Sequence, residues 1–320
     1  MSLSNKSVVV TGGAGFIGSH LVDLLAKEEP EKLIVLDNFF LGTIDNLEQA
    51  KKNYPDIIII NQDITDFKSL KKILSNNPAD VVFNLAVIPL PTSLEKPEWT
   101  YEQNIKMTLN LCELMRQGLF GTLVQCSSSE VYGSAVRVPM DESHPQRTMT
   151  PYAASKLATD SLAVSYYETF GMDITIPRPF NNYGPRQNDK SYAGVIPLTI
   201  KRILGNQAPV VYGDGTQTRD FIFVEDTAKA IIDVYLSKNT RGKTINIASG
   251  KETSIKELIE LIMKLMGCRL KIKYEAARRG DVKRHKADTS LAKKLINFSP
   301  NTELNKGLLK TIEYFKRKIS

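Results

Sequence analysis

Short apolar runs recur along the chain, and longer amphipathic stretches separate them. The runs are rich in Val and Ile and do not alternate apolar with polar residues, which is typical of strands that helices cover on both faces. Such strands belong to parallel sheets rather than to sheets with one solvated face. Seven segments have this composition: Ser7–Val10, Leu33–Leu36, Ile57–Ile60, Val81–Leu85, Thr122–Cys126, Asp173–Pro177 and Ile245–Ala248.

Amphipathic segments of helical length fit between the apolar runs. The alternation of strands and helices over the first half of the chain predicts an α/β fold of the Rossmann type, with a doubly wound, mainly parallel sheet of seven strands. The predicted helices are Gly18–Lys27, Phe67–Ser75, Thr100–Gln117, Pro151–Phe170, Ser254–Met266, Thr289–Leu295 and Glu303–Ile319.

The composition of the sequence changes at about Pro179. Gly, Pro, Asn and Tyr cluster in "RPFNNYGPRQ" and "VVYGDGTQTRDF", which predicts loops and turns in place of further regular units. We expect a dinucleotide-binding domain over residues 1–178 and a smaller α/β substrate-binding domain over residues 179–320. The apolar run at Ile245–Ala248 is expected to return to the first sheet, so that a segment near residues 220–250 interleaves the two domains.

A glycine-rich segment, "TGGAGFIGSH", follows the first predicted strand. Gly12, Gly15 and Gly18 stand where that strand ends and a helix begins, an arrangement that lets backbone amides approach a pyrophosphate at the helix N-terminus. Glycine triplets also occur in ordinary turns, but here Asp37 stands at the end of the second predicted strand. A carboxylate there suits a ribose 2′-hydroxyl and repels a 2′-phosphate, which predicts NAD rather than NADP. Asp37 could also cap the following turn, and the two roles are compatible.

A tyrosine and a lysine lie one helical turn apart in "PYAASK". The ammonium of Lys156 beside the phenol of Tyr152 would stabilise the phenolate, so that a tyrosine can act as a base near neutral pH. Ser128 ends the fifth predicted strand, at the carboxyl edge where open α/β sheets bind ligands. Taken alone, the Tyr–Lys pair would also fit an exposed helix start. Together with the glycine segment, it predicts hydride chemistry at a carbinol.

The charge of the chain changes this interpretation little. The sequence has 42 Lys and Arg residues against 35 Asp and Glu, a net charge of +7, which fits either a small anionic substrate or a solvated surface. It has no basic run with interleaved aromatic residues, which argues against nucleic-acid binding. Because there is no signal-peptide pattern and no apolar run of about 18 residues, we expect a cytoplasmic protein that does not bind membranes.

The three cysteines, Cys112, Cys126 and Cys268, lie far apart in the sequence. They lack CxxC or His/Cys ligand spacing, so the sequence predicts reduced thiols rather than a disulfide or a metal site.

The combined motifs resemble a known family. The glycine spacing, the Tyr-x-x-x-Lys pair, "SSSEVYG", "RPFNNYGPRQ" and "TRDFIFVED" are similar to those of the extended short-chain dehydrogenase/reductases that act on nucleotide sugars. That family includes 4-epimerases, 4,6-dehydratases and UDP-glucuronate decarboxylases. The resemblance runs from Thr11 to about Asp288 and is specific for the superfamily, but much less specific for the reaction.

The resemblance implies a set of residues around NAD. Asp63 and Ile64 would contact the adenine, and Leu85, Ala86 and Val87 would line the pocket near the ribose. Without the family, "NLAV" reads simply as the end of a buried strand. The full implied set is Gly12, Gly15, Phe16, Ile17, Gly18, Asp37, Asn38, Asp63, Ile64, Leu85, Ala86, Val87, Asn104, Tyr152, Lys156 and Pro179.

The resemblance also implies a site for a nucleotide sugar, with a UDP-sugar favoured. Arg219 and Arg278 would hold the diphosphate, although the family's Arg-Pro-Gly-Asp reads Arg-Arg-Gly-Asp here. Taken alone, such arginines would be ordinary surface residues. The other implied substrate residues are Ser129, Asn181, Val211 and Tyr212, with Pro197 as a further wall of the nucleobase pocket.

The implied chemistry begins with Tyr152 taking the proton of the sugar C4 hydroxyl while a hydride leaves C4 for NAD. Ser128 would bind the same oxygen, and Lys156 would hold the cofactor ribose and keep Tyr152 acidic.

Glu130 discriminates between the reactions of the family. Once C4 is a ketone, the C5 proton is acidic, and elimination across C5–C6 needs an added acid/base. Dehydratases and decarboxylases carry Glu at this position, and 4-epimerases usually carry a small or hydroxyl residue. Many hexose dehydratases have Asp–Glu where this chain has Ser129–Glu130. Glu130 could instead bind a loop or cap a turn.

The sequence therefore favours an NDP-hexose dehydratase with Ser128, Glu130, Tyr152 and Lys156 as catalytic residues. A UDP-glucose or UDP-GlcNAc 4-epimerase is the alternative, followed by a UDP-glucuronate decarboxylase. A different class is a non-catalytic NAD-binding regulator, against which the complete Ser–Tyr–Lys set argues.

Two further features bear on assembly and specificity. Small residues at Ala154, Ala158, Ser161 and Ser165 predict close helix packing, which in this family implies a homodimer through helices 100–117 and 151–170. The segment at residues 87–100 contains Pro89 and Pro91, which are expected to stiffen a loop near the sugar. A specialised substrate or an unusual elimination is one interpretation of this loop, and a drifted loop is the other.

Overall fold

Twelve strands run through the part of the chain that the structure describes, and seven of them form one sheet. The structure is a computed structural model, and it describes residues 3–189, 193–277 and 282–319. The strands are β1 (Ser7–Thr11), β2 (Lys32–Asp37), β3 (Ile58–Asn61), β4 (Ala79–Asn84), β5 (Phe120–Gln125), β6 (Asp173–Pro179), β7 (Asn181–Tyr183), β8 (Val210–Tyr212), β9 (Thr218–Phe223), β10 (Thr244–Ile247), β11 (Glu252–Ser254) and β12 (Lys273–Glu275).

The main sheet has the order β10-β6-β5-β4-β1-β2-β3. Every neighbouring pair is parallel, which confirms the predicted doubly wound sheet of seven strands. All seven strands coincide with the apolar runs to within two residues at each end. The strand order reverses between β1 and β4, and the crevice outside the carboxyl ends at such a point is where open α/β sheets bind ligands.

Eleven α-helices lie in the described residues, and all seven predicted helices are among them. They are α1 (Phe16–Lys27), α2 (Glu48–Asn53), α3 (Phe67–Asn76), α4 (Leu90–Glu95), α5 (Pro97–Arg116), α6 (Pro151–Phe170), α7 (Val195–Leu204), α8 (Val224–Leu236), α9 (Ile255–Met266), α10 (Ser290–Ile296) and α11 (Leu304–Ile319).

Three of these helices contradict the expectation of loops. The prediction that turns replace regular units after Pro179 is wrong for α7 and α8, where buried apolar residues recur at helical spacing. The predicted loop at residues 87–100 contains α4. Pro89 is its N-cap and Pro91 lies in its first turn, where a proline has no intrahelical hydrogen bond to lose.

Apolar cores lie on both faces of the main sheet. In β1, Val8 and Val10 belong to one core cluster and Val9 belongs to another, and all three are fully buried. The first cluster includes Leu21 of α1 and Ile231 of α8. Because both faces are covered, most positions in the middle of these strands are apolar without alternation, which is the pattern that the sequence shows.

Two small sheets and a third core are formed by residues that follow β6 in the sequence. The order of the larger one is β11-β9-β7, and β12 pairs with β8. Helices α7, α9 and α11 contribute to the third core with Tyr183 and Phe223. β10 pairs with β6 in the main sheet, while the division of the chain into domains at 1–178 and 179–320 stays a prediction. Among the described helices, none is long and apolar enough to cross a membrane.

Candidate active site

Two adjoining cavities open at the carboxyl ends of the main sheet. The first has a volume of about 420 Å³ and lies over the switch between β1 and β4, where Gly12 and Leu85 line it. The second has a volume of about 1010 Å³ and extends toward β8 and β9. Ser128 and Tyr152 line both cavities, so they stand where the contents of the two would meet.

The glycine turn between β1 and α1 forms one wall of the first cavity. Gly12 has a φ of +67°, and a Cβ on it would lie 2.6 Å from the backbone nitrogen of Ala86. Gly15 is the N-cap residue of α1 and also lines the cavity. The backbone of this turn therefore faces the cavity without side chains in between, so that a pyrophosphate could reach the amides at the helix N-terminus.

Asp37 lies at the end of β2, where it caps the following turn and lines the first cavity. One carboxylate oxygen accepts a hydrogen bond of 2.9 Å from the Ala14 amide, and the other accepts one of 2.8 Å from the Phe39 amide. Burial raises the pKa of Asp37, and these two backbone hydrogen bonds oppose that rise. The carboxylate thus caps the turn and still faces the first cavity, where its remaining lone pairs can accept ribose hydroxyls.

All but one of the predicted cofactor residues line the first cavity. The exception is Asn104, which is buried. Its amide nitrogen donates to the Ile88 carbonyl at 3.1 Å and to Ser155 Oγ at 2.9 Å, and its oxygen accepts from the Ile88 amide at 2.7 Å. Asn104 therefore ties the segment after β4 to α6, and its contact with a cofactor stays a prediction.

Arg186 is a residue of the first cavity that the sequence analysis missed. Its guanidinium pairs with Asp23 of α1 at 2.7 Å, and its φ is +64°. Arg186 and Lys156 are the two cationic side chains that line the described part of this cavity. Both stand where an anionic dinucleotide would lie. The signal was present in "RPFNNYGPRQ", from which only Pro179 and Asn181 were given a role.

Tyr152 and Ser128 are positioned by two helix starts. Tyr152 is the second residue of α6, whose N-cap Thr150 accepts a hydrogen bond of 3.1 Å from the Ala153 amide. Ser128 lies three residues beyond β5, not at its last residue, and caps a short 3₁₀ helix by accepting from the Glu130 amide at 3.3 Å. A side-chain hydrogen bond joins Ser128 to Tyr152.

The electrostatics of Tyr152 differ from the expectation. Burial raises the pKa of Tyr152 above its usual value, and the hydrogen bond with Ser128 opposes that rise. Lys156 donates to the backbone carbonyl of Cys126, and burial lowers the pKa of Lys156. In the protein alone, then, these side chains do not make Tyr152 acidic. The positive N-terminal end of α6 is the local element that favours a phenolate.

A buried ion pair lies close to the segments that carry Ser128 and Tyr152. Arg178 of β6 contacts Asp160 of α6 at 2.8 Å, and both side chains are almost fully buried. Ser127 donates to Asp160 at 2.5 Å and accepts from Arg178 at 3.2 Å, while the Arg178 guanidinium lies 4.7 Å from the centre of the Tyr132 ring. This network fixes the segment that carries Ser128 against the helix that carries Tyr152.

The second cavity collects most of the predicted substrate residues. Ser129, Glu130, Asn181, Tyr212 and Arg219 all line it. The charge of Glu130 raises the pKa of Tyr152, so the carboxylate acts on the phenol electrostatically. The structure thus brings Glu130 to the same cavity as Ser128 and Tyr152.

The remaining substrate predictions have different outcomes. Val211 is fully buried and does not line the second cavity, because side chains alternate along β8 and its neighbours Val210 and Tyr212 face the cavity. Pro197 is buried as well and does not line it. Arg278 lies outside the described residues. Arg202 of α7 lines the cavity and was missed, because α7 was not predicted.

Comparisons with known proteins place the chain among nucleotide-sugar enzymes. The family model described as GDP-mannose 4,6 dehydratase matches residues 9–311. A solved UDP-N-acetylglucosamine 4-epimerase from Methanobrevibacter ruminantium M1 is 37% identical, with a TM-score of 0.91, and the match covers 99% of this chain and 100% of that one. The UDP-N-acetyl-alpha-D-glucosaminuronate decarboxylase of Bacillus cytotoxicus is 34% identical over 97% of this chain and 98% of its own length.

A third similar protein is a dehydratase. The dTDP-glucose 4,6-dehydratase of Streptomyces venezuelae, solved with NAD bound, is 30% identical with a TM-score of 0.90, and the match covers 97% of each chain. Similar proteins therefore include an epimerase, a decarboxylase and a dehydratase, and NAD is present in a solved relative, in agreement with the predicted cofactor.

Proposed function

Because this chain belongs to the GDP-mannose 4,6 dehydratase family, we propose that it is an NAD-dependent nucleotide-sugar dehydratase. The resemblance seen in the sequence is confirmed at the level of the family. In the proposed reaction, C4 of a nucleoside-diphosphate hexose is oxidised transiently and water is eliminated across C5–C6. The observation that carries the proposal is Glu130, whose side chain lines the second cavity and acts electrostatically on Tyr152.

The cofactor would lie in the first cavity. The glycine turn would hold the pyrophosphate, Asp37 would accept from the adenosine ribose, and Arg186 would add positive charge. When bound, NAD accepts a hydride from C4 of the sugar and returns it to carbon later in the cycle.

Tyr152 is the proposed base of the first step. Its phenolate oxygen takes the proton of the C4 hydroxyl, and Ser128 donates a hydrogen bond to the same sugar oxygen. Lys156 lies one turn further along α6, and its ammonium remains bound to the Cys126 carbonyl. The Tyr152 hydroxyl holds this proton until C5 is protonated again at the end of the cycle.

Glu130 is the proposed acid/base of the second step. Its carboxylate takes the C5 proton, which is acidic because it lies next to the C4 carbonyl, and the carboxylic acid then protonates the leaving C6 hydroxyl. Water would leave with the proton that Glu130 took from C5, and C5 would regain the proton that Tyr152 held once bound NAD had supplied the hydride to C6. The product would be a 4-keto-6-deoxy sugar.

A 4-epimerase is the second candidate. The observation in its favour is the 37% identity to the UDP-N-acetylglucosamine 4-epimerase. That reaction returns the hydride to the opposite face of C4 and needs no group in the place of Glu130. A decarboxylase is the third candidate, supported by the Bacillus cytotoxicus relative. The complete Ser128, Tyr152 and Lys156 set argues against a non-catalytic NAD-binding regulator.

Product analysis tests the proposal. The protein is incubated with UDP- and dTDP-hexoses, and the products are identified by NMR. A 4-keto-6-deoxy or 5,6-ene sugar supports dehydration, C4 inversion supports epimerisation, and carbon dioxide from UDP-glucuronate supports decarboxylation.

The Glu130→Gln variant tests the assigned residue. We expect it to keep reduction of bound NAD by the sugar but to lose elimination by about 100-fold or more, which is the usual size of a general acid–base contribution. Glu98→Gln, an exposed change in the first turn of α5, is the matched control. Full activity of Glu130→Gln would make this carboxylate structural.

We further propose that the protein is a homodimer formed through α5 and α6. Ser161 and Ser165 of α6 are exposed, and Tyr101 and Leu109 of α5 are about 40% exposed, so that small and apolar groups face outward on this pair of helices. The molar mass of the protein in solution tests this proposal, and a monomer at micromolar concentration would contradict it.

A further inference from the structure

A short apolar wall stands beside the catalytic residues. It consists of Pro89, Leu90, Pro91 and Leu94, at the start and along one side of α4, and all four side chains line the second cavity. Pro89 and Pro91 also line the first cavity, as Ser128 and Tyr152 do. The wall therefore borders the place where the sugar carbon that reacts would lie.

The backbone of this wall has almost no hydrogen-bond donor to offer. Pro89 and Pro91 have no N–H group. The Ile88 amide already donates to Asn104 Oδ1 at 2.7 Å, and the Ile88 carbonyl accepts from Asn104 Nδ2 at 3.1 Å. From residue 88 to residue 91, the Leu90 amide is the one donor left for a ligand.

The wall is also fixed relative to Tyr152. Asn104 donates to Ser155 Oγ at 2.9 Å, and Ser155 Oγ donates to the Tyr152 carbonyl at 2.7 Å. Ser93 closes the first turn of α4 by donating to the Leu90 carbonyl at 2.7 Å. These hydrogen bonds hold the start of the wall in place relative to Tyr152.

The charges of the second cavity are unevenly distributed for a sugar with an acidic group. In the described part of this cavity, the cationic side chains are Arg202 and Arg219, which come from the second half of the chain, as does Tyr212, a residue expected at the nucleotide. A diphosphate suits those two arginines.

We propose that the wall restricts this site to nucleotide sugars whose hexose is neutral, and that it excludes nucleotide uronates. A hydroxymethyl or methyl group can lie against proline and leucine side chains, whereas a carboxylate there would lose its hydration and gain almost no donor in return. The inference rests on the proposed function, because it takes the second cavity as the nucleotide-sugar site. It removes decarboxylation of a uronate from the reactions open to this chain.

Binding measurements test the inference without relying on turnover. The affinities of the protein, loaded with NAD, for UDP, UDP-glucose and UDP-glucuronate are measured by calorimetry. We expect UDP-glucuronate to bind about 100-fold more weakly than UDP-glucose, the size expected for a charged group left without partners. Equal affinity of the two sugars would overturn the inference while leaving the nucleotide-sugar site intact. Failure of both UDP and UDP-glucose to bind would instead remove the proposed function, and the inference with it.

Two wall variants and a control test whether the wall causes the difference in affinity between the two sugars. Leu90→Arg supplies a cation, and we expect it to bind UDP-glucuronate about tenfold more tightly than the wild type does and UDP-glucose more weakly. Leu309→Arg adds the same charge on the exposed face of α11, where the leucine is 48% exposed, and should change neither affinity. Pro91→Ser, which restores one N–H group, should shift the ratio in the same direction as Leu90→Arg. If both wall variants fold and the ratio of affinities does not move, the wall is not the cause.

Discussion

At the residue scale, the chemistry depends on a few atoms that backbone geometry holds close together. Gly12 is the clearest case, because its positive φ and its contact with the Ala86 backbone both exclude a side chain. Tyr152 is a second case: burial opposes its ionisation, and the hydrogen bond with Ser128 and the N-terminus of α6 favour it. Small changes at these residues should therefore affect the site more than their size suggests.

The Gly12→Ala substitution should abolish NAD binding and destabilise the protein. Its Cβ would lie 2.6 Å from the Ala86 nitrogen, so the strand ends beneath the cofactor would have to separate. Gly118→Ala is a matched control, because Gly118 also has a positive φ, +79°, but has nothing within 4 Å of the added Cβ. We expect the control to cost about 1 kcal/mol of unfolding free energy from backbone strain alone. Chemical denaturation and NAD titration measure both effects, and equal losses in the two variants would contradict this account of the turn.

At the element scale, the position of α6 against the main sheet determines whether Ser128 and Tyr152 meet. The buried pair of Arg178 on β6 and Asp160 on α6 joins these elements, and Ser127 completes the contact. Replacing one partner leaves the other as an unpaired buried charge, which lowers the free energy of unfolding far more than the loss of an exposed pair does.

Arg178→Met should lower the free energy of unfolding by about 3–5 kcal/mol. The double variant with Arg178→Met and Asp160→Leu should recover much of that lost stability, because no buried charge is then left without a partner. The exposed pair of Arg137 and Asp141, at 2.9 Å, offers a control: Asp141→Asn should change stability by less than about 1 kcal/mol. Urea denaturation measures all three, and a small effect of Arg178→Met would mean that the ion pair does not hold these elements together.

The contact between α1 and the segment at Pro185 predicts a pH dependence of stability. His20 of α1 is buried against the Pro185 carbonyl at 3.0 Å, and burial, with the nearby charge of Arg186, lowers the pKa of His20 from 6.5 to about 4. The unfolded chain therefore binds this proton more tightly than the folded protein. The contribution of neutral, buried His20 to the free energy of unfolding is complete above pH 6.5, and it is lost as the pH falls toward 4.

The His20→Gln variant isolates this contribution from other titrating groups. Asp220, whose pKa burial raises to about 6, acts in the opposite direction, so the comparison must be made between variant and wild type. Between pH 6.5 and pH 4 we expect the free energy of unfolding of the wild type to fall by about 3 kcal/mol more than that of the variant. Parallel stability curves for the two proteins would show that His20 titrates normally.

Most elements could be predicted from the sequence because their signals are local. The seven strands of the main sheet are continuous apolar runs, and α6 begins at Pro151 and ends at Phe170 as its pattern predicts. Helix α4 was not predicted, because Pro89 and Pro91 break helices everywhere except in the first turn. Val211 and Asn104 were assigned to the site by resemblance, but which way a side chain faces depends on strand alternation and on partners distant in sequence.

At the scale of the whole molecule, the two cavities would bring a cofactor and a sugar to one pair of side chains under the proposed function. The first cavity lies at the switch point of the main sheet, and the second lies between that sheet and the elements around β8 and β9. Ser128 and Tyr152 stand at their junction, where a hydride can pass from a sugar carbon to a nicotinamide. Of the two cavities, Glu130 lines only the second, which is the proposed sugar site and the place where the proposed elimination needs an acid/base.

The most direct test of this account follows one hydrogen atom. The protein is given a neutral UDP-hexose that carries deuterium at C4, and the product is examined by NMR. If the sugar is oxidised at C4 and water is then eliminated, the deuterium will leave C4 and appear at C6 of a 4-keto-6-deoxy product. Deuterium at an inverted C4 would preserve the oxidation but replace dehydration with epimerisation. A product in which the deuterium has been exchanged with solvent, or has never left C4, would contradict hydride transfer from C4 and with it the central claim.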